Sequence, residues 1–310
     1  MSAQQRILRQ RIRDTQSTMK ITRAMELIAA SRIVKAQQAV HSTEPYGDAL
    51  QRALTLAASH SQIDHPLFKE VKHPKRAAVL TVAADRGLAG AYSSNAIKAG
   101  ERVAQNITER GIEPVTYLVG RKSVGYYKFR DLTVEGSWVG FSDNPTYANA
   151  KEVADTLLDA FLKQGKHGGI DEIHIVYTKF INRLSQVPKV LRLVPLDVVE
   201  EVVDTHTQTI TAGEGKGGKA AWPLYDFEPE AKQTLDVLLP RYIEHLVYVG
   251  LLESAASEHA SRQRAMKSAT DNANDLIKRF LRQANQARQA EITQEISEIV
   301  GGANALAAAK

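Results

Sequence analysis

The chain has 310 residues, of which 43% are hydrophobic and 6% aromatic, with 40 basic and 35 acidic side chains and a net charge of +5. This length accommodates one large or two modest domains with a buried core. The absence of cysteine excludes disulfides, thiolate metal sites and a cysteine nucleophile. No run of about eighteen apolar residues occurs, which excludes a membrane-spanning helix.

Residues 1–60 are predicted to form a coiled-coil helix. Apolar and small residues recur in steps of three and four along two series, which are Leu8, Ile12, Thr15 and Met19, and then Ile21, Met25 and Ile28. Residues 1–35 include eight basic side chains and only two acidic ones. Because this basic pattern runs directly into the helix, we expect neither a signal peptide nor a transit peptide. The basic face is either a solvated surface or a docking surface for an acidic partner.

The middle of the chain, residues 75–200, predicts a Rossmann-like α/β domain. Strands are expected at 76–84, 115–119, 173–181 and 187–196, with helices at 93–110 and 147–164. Strand, helix and strand at this spacing predict a βαβ unit and a parallel sheet. The turn that begins at Asp85 leads into the first helix, which Asp85 is expected to cap.

The last third of the chain predicts a loop followed by a second coiled-coil helix. Residues 205–221 are glycine-rich and polar, as in a flexible loop, and a C-terminal helical region is expected over 228–310. Pro240 predicts a kink or a helix boundary. A helix over 241–300 would be about 90 Å long, beyond the reach of an ordinary domain core. Its predicted seam consists of Met266, Ala269, Ala273, Ile277, Phe280, Ala284 and Ala287.

No catalytic, cofactor or metal site is predicted. Gly87 and Gly90 follow a strand, but their GxxG spacing is not the dinucleotide fingerprint, and no P-loop is present. The nine histidines include no HxxxH or HExxH pair, and no serine lies in GxSxG. The basic N-terminal stretch also lacks the interleaved aromatic residues that are typical of nucleic-acid binding. Two alternatives stay open on the residues alone: a stand-alone α/β nucleotide-binding enzyme with helical arms, and a coiled-coil nucleic-acid-binding protein.

Four segments in order along the whole chain carry a family resemblance. They are KITRAMELIAASR at 20–32, DRGLAGAYSSN at 85–95, SEHASRQRAM at 257–266, and a C-terminal segment from 272 to 303 that contains NQARQAEITQE. Together they closely resemble the γ subunit of F-type ATP synthases, of the bacterial type. Many members have cysteine where Ala89 stands, and the segments 165–169 and 205–221 are longer than in a minimal member. The paired cysteines of the chloroplast regulatory insertion are missing.

The resemblance implies an antiparallel coiled coil of the two terminal helices, with the central domain as a foot. It implies a non-catalytic rotor shaft that couples proton flow to ATP synthesis, without a cofactor of its own. The implied partners are the α and β subunits, the ε subunit and the c-ring, and not nucleic acid. The implied location is peripheral, at the cytoplasmic face of the bacterial plasma membrane, and only through the complex. By motif match, the residues implied to contact the β subunit are Lys20, Arg23, Met25, Arg288 and Gln289.

Overall fold

A computed structural model describes residues 3–59, 65–68, 70–163, 169–196 and 231–308. The chain forms two compact units, the first from residues 1–31 and 262–310 and the second from residues 32–261. Two long helices, α1 (Ala3–Ser59) and α5 (Ala231–Ala308), contribute residues to both units. The predicted 205–221 loop lies outside the described residues, and the predicted domain boundaries stay a prediction.

The second unit is built on a five-stranded sheet. Its strands are β1 (Arg76–Val82), β2 (Glu113–Val119), β3 (Gly136–Trp138), β4 (Glu172–Phe180) and β5 (Gln186–Val194), in the order β3-β2-β1-β4-β5. The first four strands are parallel, and β5 runs antiparallel to β4. The helices between the strands are α2 (Tyr92–Glu109), α3 (Arg121–Phe129) and α4 (Tyr147–Leu162). The predicted α/β fold with a parallel sheet is therefore confirmed.

Strand β1 shows how helices cover both faces of the sheet. Ala78, Leu80 and Val82 belong to a core that also contains α4 and the 235–251 part of α5. Ala77 and Val79 point the other way and pack with residues of α2. Alternate strand residues face opposite sides, so each face receives its own helices. Helix α5 comes especially close, since a Cβ on Gly250 would lie 3.1 Å from Cδ1 of Ile175.

Both prolines in the long helices lie within continuous helix, at Pro45 in α1 and Pro240 in α5. A helix boundary at Pro240 is therefore wrong. An interior proline costs about 3 kcal/mol. Burial of a large apolar side chain contributes about 1.5 to 3 kcal/mol, and residues on both sides of Pro240 are buried at helical spacing. These are Leu235, Leu239, Ile243 and Val247.

Two short elements, α3 and β3, were not predicted from the sequence. Helix α3 has nine residues with Gly125 in its middle, and β3 has only three residues at the edge of the sheet. Such segments carry too few periodic positions to produce a pattern. Their backbone is fixed by neighbours instead, because the Gly120 N–H donates to the Trp138 carbonyl and the Lys122 N–H to the Ala84 carbonyl.

Candidate functional site

The crevice where open α/β sheets usually bind ligands is occupied here by helix α5. Strands β2 and β4 flank β1 on opposite sides, so the chain reverses its direction across the sheet at β1. Near the carboxyl end of β4, the Thr178 N–H donates to Ser254 Oγ at 3.2 Å, and Ser257 Oγ donates to the Thr178 carbonyl at 2.9 Å. Both serines belong to α5 and are buried. Side chains of α5 thus bind the backbone near the carboxyl end of β4, at the edge of the sheet where this architecture usually binds ligands.

Asp85 does not cap α2 as predicted, and instead it holds two other segments together. Helix α2 begins after Ala91 without a side-chain cap. The Asp85 carboxylate accepts from the backbone N–H of Arg121 at 3.0 Å, Gly140 at 2.8 Å and Ser142 at 3.0 Å. Burial alone would raise the pKa of Asp85, but these donors outweigh it and hold the pKa below its ordinary value. Asp85 therefore stays ionised and fixes the start of α3 to the loop that follows β3.

That loop also connects the sheet to both long helices. The Ser142 hydroxyl accepts from the Asp85 N–H at 2.8 Å and donates to Glu258 Oε2 on α5 at 3.0 Å. The next residue, Asp143, forms an ion pair with Arg32 on α1, with 2.7 Å between Oδ2 and Nη1. His259 Nε2 donates to the Asp143 carbonyl at 3.0 Å. We call the six residues Arg32, Asp85, Ser142, Asp143, Glu258 and His259 the joint.

Three of the four segments that carry the family resemblance meet at the joint. Arg32 ends the KITRAMELIAASR segment, Asp85 begins DRGLAGAYSSN, and Glu258 lies in SEHASRQRAM. Sequence reasoning missed Ser142 and Asp143, because the segment around them carries no motif and belongs to no predicted element. Arg32 was counted with the basic face, whereas its guanidinium pairs with Asp143 inside the second unit.

A cleft of about 510 Å³ lies between α1, α4 and α5 in the second unit. On its wall, Glu244 accepts from Lys151 Nζ at 3.0 Å and from the Tyr147 hydroxyl. Burial, followed by the bond to Glu244, raises the pKa of Tyr147. Burial lowers the pKa of His245, whose ring packs edge-on against Tyr46. Glu244, Lys151 and Tyr147 satisfy one another, whereas the buried Nδ1 of His245 has no hydrogen-bond partner among the described residues. In the same part of the chain, no cluster of histidine and acidic side chains could hold a metal ion.

In the first unit, α1 and α5 pair antiparallel through a seam that includes polar residues. Gln5 Nε2 donates to Glu291 Oε2 at 2.8 Å, and the hydroxyls of Thr22 and Thr270 are 2.8 Å apart. The numbers of paired residues rise on one helix as they fall on the other, which confirms the antiparallel coiled coil. The predicted C-terminal seam lies on the less exposed side of α5, with Thr270 as a further member.

The second predicted series on α1 is partly wrong. Ile21 is 58% and Ile28 54% exposed, while the seam continues from Met19 through Thr22, Glu26 and Ala29. Steps of three and four persist, but a threonine and a glutamate occupy two seam positions, so the apolar pattern shifts by one residue. Glu26 is tolerated there because Arg23 Nη1 lies 2.9 Å from its Oε2.

The outer surface of the first unit is basic and in part apolar. Its residues include fourteen Lys and Arg against seven Asp and Glu, a net charge of +7, which exceeds that of the whole chain. Near the end of α5, large apolar side chains are exposed at helical spacing, namely Ile292, Ile296, Ile299 and Val300. An exposed apolar stripe beside basic residues is typical of a surface that binds another protein.

The five residues implied to contact a partner fall into two groups on this surface. Lys20 and Arg23 are exposed and Met25 is half-buried on α1, near the Thr22 and Thr270 pair. Arg288 and Gln289 are exposed on α5, eighteen residues beyond Thr270, which corresponds to about 27 Å along a helix. The structure therefore brings each group together but keeps the groups apart. Nothing in these positions tests the contacts, which stay a prediction.

Comparison with known proteins now identifies the family. The family model described as ATP synthase matches residues 4–306. The ATP synthase gamma chain of Acidothermus cellulolyticus is 56% identical over 308 residues, which cover 99% of this chain and 99% of that relative. The chain belongs to the ATP synthase gamma-chain family. The gamma chain of Streptomyces griseus is 55% identical over 307 residues, covering 99% of this chain and 97% of that one.

Solved structures share the same fold at much lower sequence identity. A chain of the Euglena gracilis mitochondrial ATP synthase (OSCP/F1/c-ring) aligns with a TM-score of 0.61 at 16% identity and covers 99% of this chain and 95% of that one. A chain of the Tetrahymena thermophila central stalk/c-ring structure aligns with a TM-score of 0.55 at 22% identity, covering 80% and 99%. None of the helices in the described part of the chain combines the length and apolar character that a membrane crossing needs.

Proposed function

We propose that this chain is the central rotor shaft of an F-type ATP synthase, which transmits torque between a proton-driven c-ring and a catalytic ring of α and β subunits. It is a non-catalytic subunit of that complex. The observation that carries the proposal is the 56% identity, over nearly the full length of both chains, to a protein named ATP synthase gamma chain. The crevice filled by α5 supports the absence of catalysis in the central domain.

A shaft must be stiff along its length and must hold partners without locking at one angle. The antiparallel seam of the first unit supports stiffness, because interdigitating side chains resist bending. The exposed basic side chains support low energy barriers between rotational positions of the shaft, because surface ion pairs contribute only about 0 to 1 kcal/mol each. A shaft can bias three identical β subunits only through contacts that differ between their states. Its uneven surface, basic in one part and apolar in another, meets that requirement.

We further propose the specific partners and location. The first unit would contact the α and β subunits, the second would contact the ε subunit and the c-ring, and the chain would bind no nucleic acid. Association with the membrane would be peripheral, through the complex, at the cytoplasmic face of the bacterial plasma membrane. The family relationship supports membership in the complex, and each named contact is an inference from it.

On the β subunit, we propose contacts with Lys20, Arg23, Met25, Arg288 and Gln289. Lys20 and Arg288 are the better probes, because neither has an ion pair or side-chain hydrogen bond within the described residues. Arg23 is a poorer probe, because its removal would leave Glu26 buried without its cation. Arg23→Lys retains the charge and serves as the companion variant there.

Copurification tests the proposed function. An affinity tag on the chain, expressed in its own host and extracted from membranes in mild detergent, should retain α, β, ε and c subunits in fixed ratios. Absence of these subunits from a folded chain would refute the rotor assignment. The purified chain alone should neither hydrolyse ATP nor bind DNA. ATP turnover by it would favour the nucleotide-binding alternative, and salt-sensitive DNA binding would favour the nucleic-acid alternative.

Arg288→Ala tests a predicted contact, with Arg282→Ala as a matched control. Both arginines are exposed on α5, and within the described residues Arg282 donates only to the Lys278 carbonyl of its own helix. A desolvated hydrogen bond to a charged group contributes about 1.5 to 3 kcal/mol. Arg288→Ala should therefore lower ATP synthesis in membrane vesicles by about tenfold or more, while the complex stays assembled. Equal activity of the two variants would remove Arg288 from the interface.

A further inference from the structure

Ser142, in the loop after β3, forms a directed polar bond with helix α5, as Thr178 of β4 also does. Its side chain is 4% exposed, and Glu258 beside it is fully buried. The hydroxyl has a donor on one side and an acceptor on the other, at 2.8 Å from the Asp85 nitrogen and 3.0 Å from Glu258 Oε2. The Ser142 N–H in turn donates to the Asp85 carboxylate at 3.0 Å. A single small side chain therefore connects the end of β1 to α5.

The contacts of Asp143 extend this connection to α1. Its carboxylate pairs with Arg32 of α1 at 2.7 Å and lies 3.6 Å from Arg86 of the turn after β1. Its carbonyl accepts from His259, one residue beyond Glu258 on α5. Two neighbouring loop residues thus bind both long helices and the end of the central strand.

Besides the polar bonds at Ser142 and Thr178, α5 packs against the sheet through apolar side chains. Ile243, Val247 and Leu251 lie in the same core as the inner faces of β1 and β4. Apolar contact is non-directional, so it favours burial without selecting one rotation or translation of the helix against the sheet. Buried hydrogen bonds select one arrangement, because any slip leaves a donor or a carboxylate unsatisfied at a cost of about 1 to 3 kcal/mol.

We propose that Ser142 is a positioning residue for torque transmission, and that its hydroxyl, together with the bonds at Thr178, fixes the angle at which the sheet holds α5. This inference rests on the proposed rotor function. A rotor whose foot slips against its shaft turns without delivering the full rotation to the catalytic ring. Loss of the Ser142 hydroxyl should therefore lower the number of protons pumped per ATP hydrolysed, rather than the amount of assembled complex.

The test compares Ser142→Ala with Ser123→Ala and Ser142→Thr. Ser123 is likewise a buried serine of the second unit, but its hydroxyl donates to the Val119 and Gly120 carbonyls, neither of which belongs to a long helix. Each variant would be placed in the complete ATP synthase. Inverted membrane vesicles then report ATP-driven proton pumping and ATP hydrolysis from the same preparation.

We expect Ser142→Ala to reduce the pumping-to-hydrolysis ratio to half or less of the wild-type value. Ser123→Ala should keep the wild-type ratio, and Ser142→Thr should restore it, because threonine retains the hydroxyl. Equal ratios for Ser142→Ala and Ser123→Ala in an assembled complex would overturn the positioning role alone. A wild-type chain that is absent from the complex would instead refute the proposed function.

Amide hydrogen exchange of the isolated full chain gives a measurement that does not need assembly. In Ser142→Ala, peptides covering 252–262 of α5 should exchange at least about tenfold faster than in the wild type, because the helix is released from the loop. In Ser123→Ala, those peptides should keep the wild-type rate. Unchanged exchange over 252–262 in Ser142→Ala would overturn the positioning role, whatever the vesicles show.

Discussion

The hydroxyl pair of Thr22 and Thr270 allows a direct test of the seam in the first unit. The two oxygens are 2.8 Å apart and both side chains are buried. Each hydroxyl also lies near a carbonyl of its own helix, Met19 for Thr22 at 3.0 Å and Met266 for Thr270 at 2.9 Å. The perturbation is Thr→Val at one or both positions, which replaces a hydroxyl by a methyl group of similar shape.

The single variants should be less stable than the wild type, and the double variant should not. Removing one hydroxyl eliminates a buried hydrogen bond, which contributes about 0.5 to 1.5 kcal/mol, while the remaining threonine keeps its bond within the helix. The free energy of unfolding of each single variant should therefore be about 1 kcal/mol lower than that of the wild type. Removing both hydroxyls leaves no polar group in that layer, so the double variant should be close to the wild type in stability. The pair then shows a coupling free energy of about 1 to 2 kcal/mol.

Amide hydrogen exchange of residues 8–31 on α1 measures the local opening free energy of the seam. The single variants should exchange roughly five to tenfold faster than the wild type, and the double variant should return to within about twofold, since 1.4 kcal/mol is a factor of ten. Additive losses, with the double variant exchanging faster than either single one, would refute the reasoning. That result would mean that Thr22 and Thr270 act independently of each other.

Three further substitutions test other features of the isolated chain. Gly120→Ala should lower the free energy of unfolding by more than about 3 kcal/mol, because φ is +97° and the new Cβ would lie 2.3 Å from the Ala83 carbonyl oxygen. Gly111→Ala, at φ +78° in open space, should lower it by only about 1 to 2 kcal/mol, and thermal unfolding measures both. Ile33→Ala should lower the free energy of unfolding by about 2 to 4 kcal/mol, because Ile33 is fully buried. Ile28→Ala, at an exposed position, should change it by less than about 0.5 kcal/mol. Burial raises the pKa of Glu172, but hydrogen bonds from Arg110 and His174 outweigh it and lower the pKa below its ordinary value. The stability that ionised Glu172 contributes is present above its unfolded-state pKa and is lost as pH falls through the lower folded-state pKa. The difference in unfolding free energy between wild type and Arg110→Ala, measured in urea, should therefore be largest above about pH 5 and shrink towards about pH 3. A difference that does not depend on pH would contradict this.

The sequence predicted the elements that have a strong period. The predicted strand at 76–84 is observed as Arg76–Val82, and the predicted helix at 147–164 as Tyr147–Leu162. The predictions failed where tertiary packing overrides a local rule. Pro240 does not end a helix, because the buried residues around it hold α5 against the sheet. The α1 seam shifted because its polar members, Thr22 and Glu26, acquire partners that only the folded structure reveals.

The surface of the shaft was more predictable than the joint. A basic stretch is visible in the sequence wherever its residues are close together, and the exposed side chains of Arg6 to Arg13 follow that pattern. The joint combines residues from 32 to 259, and its central member, Ser142, is one serine among many. Only the loop geometry, set by Asp85 through three backbone bonds, places that hydroxyl against Glu258.

The filled crevice and the joint have a common physical origin. A parallel α/β sheet presents backbone donors and acceptors at the carboxyl ends of its strands, and in enzymes of this architecture a ligand usually takes up that position. Here two serines of α5 bind the backbone of Thr178, and Glu258 of α5 accepts from the side-chain hydroxyl of Ser142. A ligand dissociates from such a crevice, whereas a helix of the same chain stays bound in it. The edge of the sheet that forms the substrate site in an enzyme thus binds helix α5 in this chain.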